Sequence, residues 1–228
     1  MELIKASYKI LTELNGQEVL KEIEKAGRTA YKSEDKITET SAANFVKAII
    51  KRGHHSVLEH KTISVRFVAD RGCTHCIVRY RMSSFTQEST RYVNYHKRGM
   101  RFIIPPWVDL PEGEITQDDE TQNCPVDIIK SSIEDSTRGE WIRAVSEDEI
   151  HYRNLLKKGW TPEQARTVLP NSVAAEIVMT TNIREWRHFL SLEMDKAAHP
   201  QMRDLLIPLL LEFKTKLPIL FDDILPEQ

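Results

Sequence analysis

The chain has 228 residues, 40% hydrophobic and 29% charged, which suits a folded globular protein and argues against a disordered or fibrous one. Its 32 basic and 34 acidic side chains leave a formal charge of −2, removing the electrostatic case for a general nucleic-acid binder while allowing a local basic pocket. No apolar run reaches a membrane span, MELIKASYKI lacks the apolar stretch of a leader, and an odd set of cysteines (Cys73, Cys76, Cys124) is no secreted disulfide framework, so a reduced, cytoplasmic, soluble protein is expected.

Residues 2–12 are short and mixed and predict an edge strand. From Gln17 to Ala30, Val19, Leu20, Ile23 and Ala26 recur at helical spacing. A second helix is capped by Thr40 or Ser41, carries the stripe Phe45, Val46, Ile49 and Ile50, and ends at Gly53. Ile63, Val65 and Phe67 then alternate with Ser64 and Arg66, a strand with one buried face. Asp70 and Gly72 turn the chain into a short helix from Cys73 to Tyr80. Ser83–Tyr95 is polar and aperiodic and reads as a loop, leading to a strand at Arg101–Ile104. Pro105, Pro106, Pro111 and the acidic run Asp118–Glu120 make 105–125 an irregular excursion. Helix is expected over roughly 126–158, and Thr161-Pro162-Glu163 starts another. Val173–Thr181 suits a strand or a helix, while 183–192 and 199–215 read as helices despite Pro208. The fold class is α/β with α+β character, a single domain over 1–228 with a central sheet flanked by helices.

Chemistry concentrates in Arg79-Tyr80-Arg81-Met82-Ser83-Ser84-Phe85-Thr86-Gln87-Glu88-Ser89-Thr90-Arg91-Tyr92. Guanidinium groups offer forked donors that fit phosphate, and hydroxyls supply shorter hydrogen bonds. A solvated polar loop is the plain alternative. Against it, the arginines follow Ile77-Val78, an apolar segment expected to be buried, and such arginines usually meet an anion.

The pattern Arg-x-Arg-x-x-Ser-x-x-x-x-Ser-x-Arg, met by Arg79, Arg81, Ser84, Ser89 and Arg91, resembles the signature of flavin-dependent thymidylate synthases. The likeness extends upstream to Gly53-His54-His55-Ser56-Val57-Leu58-Glu59-His60. Downstream it takes in Ala165–Pro170, Asn182-Ile183-Arg184, Phe189–Leu192 and Ala198–Arg203, but not the middle excursion. The resemblance implies that family's α/β fold and reductive methylation of dUMP. Methylenetetrahydrofolate would supply the carbon and NADPH-reduced FAD the hydride, with the cofactor carrying the redox chemistry. It implies FAD contacts from His54, Ser56, Arg79, Tyr80, Arg81, Gln87, Asn182, Arg184 and His188. For dUMP it implies Cys76, Arg79, Gln87, Glu88, Ser89, Thr90, Arg91, Arg166 and Glu193, with Ser89 and Glu193 at catalytic positions. A homotetramer with shared active sites is implied too, with no nucleic-acid or membrane partner.

Three positions depart from the family. Tyr80 stands where His is usual, Gln87 where Glu is common, and Glu193 where the family has an Arg thought to pair with the uracil ring. A carboxylate there would oppose negative charge developing on the ring, and losing one such contact costs about two to three orders of magnitude in rate. Glu193→Arg is therefore expected to speed product formation, unless Arg184, Arg187 or Lys196 has taken over the charge. The departure keeps open a related flavin enzyme with altered output, such as a pyrimidine hydroxymethylase. A binding module for single-stranded nucleic acid, with tyrosines as stacking platforms, is the alternative of another class. Cys73-Thr74-His75-Cys76 near His54, His55 and His60 invites a metal reading, but one Cys-x-x-Cys inside an apparent helix does not make a zinc site, and no metal is expected.

Overall fold

The computed structural model describes residues 1–114 and 136–227. In chain order its strands and helices are β1 (Glu2–Ile4), β2 (Ser7–Ile10), α1 (Gly16–Arg28), α2 (Ser41–Lys51), β3 (Thr62–Asp70), α3 (Arg71–Ile77), β4 (Ser84–Gln87), α4 (Tyr95–Arg98), β5 (Arg101–Ile103), β6 (Gly113–Glu114), α5 (Thr137–Lys157), α6 (Pro162–Ala165), β7 (Ala174–Asn182), α7 (Ile183–Glu193) and α8 (Pro200–Lys216). Short 3-10 turns at His55–His60 and Arg166–Val168 also matter below. The strands form a three-stranded sheet of order β5-β1-β6 and a four-stranded sheet of order β2-β3-β7-β4. The mixed α/β class is as expected. The described chain divides into two compact units: unit 1 holds Met1–Ser7, Val68–Cys76 and Gln87–Ile177, and unit 2 the remainder.

Unit 1 is built on β1, which pairs parallel with β5 and antiparallel with β6. Leu3 and Phe102 face each other in that register and enter one core with Met100, Val145, Tyr152 and Val173. Ser136 caps α5 by accepting the Gly139 N–H at 3.2 Å. Thr161 and Gln164 form a reciprocal capping box on α6, with Pro162 inside its first turn, so a helix of one turn has a fixed start.

Unit 2 packs around aromatic rings. Trp186 is fully buried, its ring 5.5 Å from Phe213, 5.8 Å from Phe189 and 6.4 Å from Phe67. Its indole N–H donates to the Ile63 carbonyl at 3.0 Å, which joins α7 to β3 while satisfying a buried donor. Along β3, Ile63, Val65 and Phe67 are buried as the alternation predicts. Asn15 caps α1, and a Cβ at Gly16 would lie 2.5 Å from the Lys216 carbonyl oxygen, so only glycine admits this approach of α8. Buried Glu24 accepts from Ser41 at 2.7 Å and from Arg28 at 2.7 Å, tying α1 to the start of α2.

Three expectations need correction, and a fourth is met over its described part. Residues 2–12 are two strands, not one edge strand: β1 is central in its sheet, and β2 alone is an edge. The stretch read as loop contains β4, a short edge strand in which Phe85 alone is apolar, leaving no alternation to detect. Helix α3 stops at Ile77, short of Tyr80. Helix α5 begins at Thr137; the expected helix before residue 136 lies outside the described residues, as do Asp118–Glu120 and Cys124.

Candidate functional site

Asn182 ends β7 and caps α7, its side-chain oxygen accepting the Glu185 N–H at 2.9 Å. Ile183, Trp186, Phe189 and Leu190 turn inward, which leaves Arg184, His188, Ser191 and Leu192 on the outer face of the helix. That face borders a cavity of about 1100 Å³ in unit 2, completed by His55 and Glu59 from the 3-10 turn, Met82, Asp223, Ile224, Leu225 and Glu227. Three of the flavin candidates, Asn182, Arg184 and His188, thus come together. His54 and Ser56 are exposed beside the lining rather than part of it, and the histidine of that turn that lines the cavity is His55, which the motif did not single out. Arg184 pairs with Glu59 at 2.5 Å, both exposed. Arg81 is exposed, next to the lining residue Met82.

Tyr80 and Glu193, two of the departures from the family pattern, touch each other. The Tyr80 hydroxyl donates to Glu193 Oε1 at 2.6 Å, with both residues buried. Arg79 approaches the same oxygen at 3.7 Å from the solvent side. The Tyr80 ring packs edge-on against Phe189 at 4.5 Å and lies 6.0 Å from the ring of His188. Arg187 is engaged elsewhere, its guanidinium donating to both carboxylate oxygens of Asp223 at 2.7 and 2.6 Å. These hydrogen bonds hold the Asp223 carboxyl below its ordinary value, against the opposing effect of burial.

Of the nucleotide candidates, Cys76, Gln87, Glu88, Ser89, Thr90, Arg91 and Arg166 fall in unit 1, whereas Arg79 and Glu193 belong to unit 2. Gln87 donates its amide to the Thr74 hydroxyl at 2.9 Å, which orients the side chain from β4 onto α3. Ser89 Oγ accepts the Arg91 N–H at 3.3 Å. The Glu88 carboxylate accepts the Glu176 N–H at 3.3 Å, and the Glu88 N–H donates to the Glu176 carbonyl at 2.8 Å. Arg166, in the turn after α6, donates to buried Thr90 at 3.3 Å, so two arginine-bearing segments meet. Arg91 forms an ion pair with Glu163 at 2.5 Å, both about half exposed, and its guanidinium is held more basic by that hydrogen bond. Sequence reasoning missed Glu163; its signal was the capping box that puts it three residues before Arg166. Cys76 is a half-buried thiol on α3. Among the described residues no group of three or more His, Cys, Asp and Glu side chains is placed to hold a metal ion, and no helix is long and apolar enough to cross a membrane.

Compared with known proteins, the chain matches a family described as thymidylate synthase complementing protein over residues 10–219. It is 32% identical over 208 residues to the flavin-dependent thymidylate synthase of Mycobacterium avium (strain 104), an alignment covering 88% of this chain and 78% of that protein. Proteins of the same name from Mycobacterium bovis (strain BCG / Pasteur 1173P2) and Mycolicibacterium vanbaalenii are 30% and 32% identical over the same length and shares. Every candidate residue lies inside the family match.

Proposed function

The chain belongs to the family of thymidylate synthase complementing proteins, and from that premise we propose that it is a flavin-dependent thymidylate synthase converting dUMP to dTMP. The observation that carries this reading is the meeting of the Ser89–Arg91 loop with the Arg166 turn through Thr90. It sets two exposed guanidinium groups beside hydroxyl donors, a combination suited to a nucleotide phosphate. Arg91 and Ser89 hold the phosphate, and Arg166 adds a second cation. Phosphate entry requires Arg91 to exchange Glu163 for the incoming anion. Gln87, fixed by Thr74, offers its remaining amide valences to the nucleotide, with Cys76, Glu88 and Thr90 shaping that side.

The residues in unit 2 suit FAD. Their cavity is large, its outer surface combines the apolar Met82 and Leu192 with His55 and His188, and Arg184 stands in the first turn of α7, where planar rings and an anionic linker would both find partners. Asn182, Arg184 and His188, with His54, Ser56, Arg79 and Arg81, would hold the cofactor. Once reduced by NADPH, it supplies the hydride, while methylenetetrahydrofolate supplies the carbon. Tyr80 and Glu193 act from below: Tyr80 fixes the carboxylate, and the carboxylate restrains Arg79.

We extend the reading to a homotetramer with shared sites, supported by the number of exposed arginines (Arg79, Arg81, Arg91, Arg166) on one chain. One family domain is supported by the unbroken match over 10–219. A cytoplasmic location is supported by Cys73 and Cys76 being thiols. The test is an equilibrium titration of the purified protein with FAD, repeated with dUMP, followed by a dTMP assay with methylenetetrahydrofolate and NADPH. Uptake of FAD and dUMP with dTMP formation is the expected result. A protein that takes up no FAD, or that forms no dTMP when loaded, would overturn the reading.

A further inference from the structure

Residues 220–227 lie beyond residue 219, where the family match ends, yet they supply one side of the unit 2 cavity. In Leu220-Phe221-Asp222-Asp223-Ile224-Leu225-Pro226-Glu227, apolar anchors bracket a pair of acids. The chain enters this segment at Ile219, a β-branched residue with φ of 80°. Such residues hold a left-handed conformation only where their surroundings over-determine it. Here the Ile219 N–H donates to Asp222 Oδ2 at 3.0 Å, Leu220 and Phe221 are buried, and the Phe221 ring lies 5.0 Å from that of Phe213.

Arg187 then latches the segment. Besides its two hydrogen bonds to Asp223, its guanidinium donates to the Leu220 carbonyl. A forked, charge-assisted contact of this kind fixes direction as well as distance. Further along, the Glu227 N–H donates to the Met194 carbonyl at 3.0 Å, and Arg203 donates to the Glu227 carbonyl. Held at both ends, the segment brings Leu225, 69% exposed, to the cavity that Leu192 (51%) and Met82 (73%) also line. Large apolar side chains left in solvent around one cavity mark a ligand surface.

Resting on the flavin reading above, we propose that residues 220–227 form a specificity-determining wall of the FAD cavity, with Leu225 packing on the cofactor and Arg187 and Asp223 as its positioning residues. The wall lies outside the matched family region. By linkage, a wall that favours the bound cofactor is itself favoured by it.

The test combines FAD titration with amide hydrogen exchange over 220–227 in the full chain, its Leu225→Ser variant and its Asp223→Asn variant. FAD is expected to slow exchange across 220–227 in the unaltered protein. Leu225→Ser, at an exposed position, should raise the FAD dissociation constant at least about fivefold with an unchanged thermal melt. Asp223→Asn should weaken FAD binding and remove the FAD-dependent protection. Unchanged affinity in Leu225→Ser, or no FAD-dependent protection in the unaltered protein, would overturn the wall alone. An unaltered protein that takes up no FAD would overturn the flavin reading and the wall together.

Discussion

Tyr80→Phe removes a single hydroxyl and isolates the contact that joins two departures from the family pattern. The lost donor sits 2.6 Å from Glu193 Oε1; Tyr80 is 9% exposed and Glu193 5%, so water does not readily replace it. A hydrogen bond to a charged group contributes about 1.5–3 kcal/mol. Arg79 remains near the carboxylate, but at 3.7 Å and with its side chain 67% exposed it offsets at most about 1 kcal/mol. The expected cost is therefore roughly 2 kcal/mol. Glu193→Gln keeps the acceptor and loses the charge, for about 1 kcal/mol, and the two changes together should show a coupling energy of about 1 kcal/mol or more. Glu193→Arg is a harsher change. It strips Tyr80 of its acceptor and sets a second guanidinium against Arg79, at a cost on the order of 3 kcal/mol. This geometry gives a reason for a lone return to Arg at 193 to slow dTMP formation rather than speed it. Urea unfolding of the three variants and the Tyr80→Phe/Glu193→Gln double variant measures the cycle. Single-variant effects that add to within about 0.3 kcal/mol would refute the coupling.

Arg91→Ala should weaken dUMP binding at least about tenfold in calorimetry while changing FAD affinity much less, since phosphate contacts of this kind are charge-assisted. Glu163→Gln should tighten dUMP about two- to fivefold by releasing Arg91 from an exposed and therefore weak ion pair; weaker binding would show that Glu163 orients Arg91 instead. The Asp223 carboxyl is depressed below its ordinary 3.8 by Arg187, with a smaller contribution from His55. The pair's contribution is therefore fully present above that ordinary value and is lost as pH falls through the depressed one. Melting temperature between pH 5 and pH 3 should fall more steeply for the unaltered protein than for Asp223→Asn. Gly16→Ala should destabilise by about 1–3 kcal/mol in urea, because its methyl would press on the Lys216 carbonyl.

Local pattern carried far in this chain, and failed where partners are distant. β3 was legible because one of its faces is buried, so Ile63, Val65 and Phe67 alternate with polar residues. β4 was not, since Ser84–Gln87 is a short edge strand with a single apolar residue, Phe85, and one residue makes no alternation. The break at Lys5–Ala6 separates two strands that serve different sheets, and no local signal announces a change of sheet. Motif matching located the Arg79–Arg91 stretch and the Asn182–Arg184 cap. It could not tell that Tyr80 and Glu193, read as separate oddities, answer one another across 113 positions. Nor could it show that Arg187, a candidate to replace a missing cation, is held by Asp223, 36 positions on. A contact between remote positions leaves no trace in one sequence unless two unusual residues happen to be noticed together.

The burial of Trp186 gives the protein a built-in optical probe. Of its four tryptophans, Trp107, Trp141 and Trp160 belong to unit 1, and Trp186 alone to unit 2. Trp107 and Trp160 are exposed, 62% and 45%, whereas Trp186 is sealed among phenylalanines. Emission at short wavelength therefore comes from Trp186 together with the half-buried Trp141, and the Trp186 share reports on the helix that carries Asn182, Arg184 and His188. Replacing Trp107, Trp141 and Trp160 by Phe would leave a single fluorophore on the helix that borders the cavity, able to follow changes in the packing of α7 without any attached label.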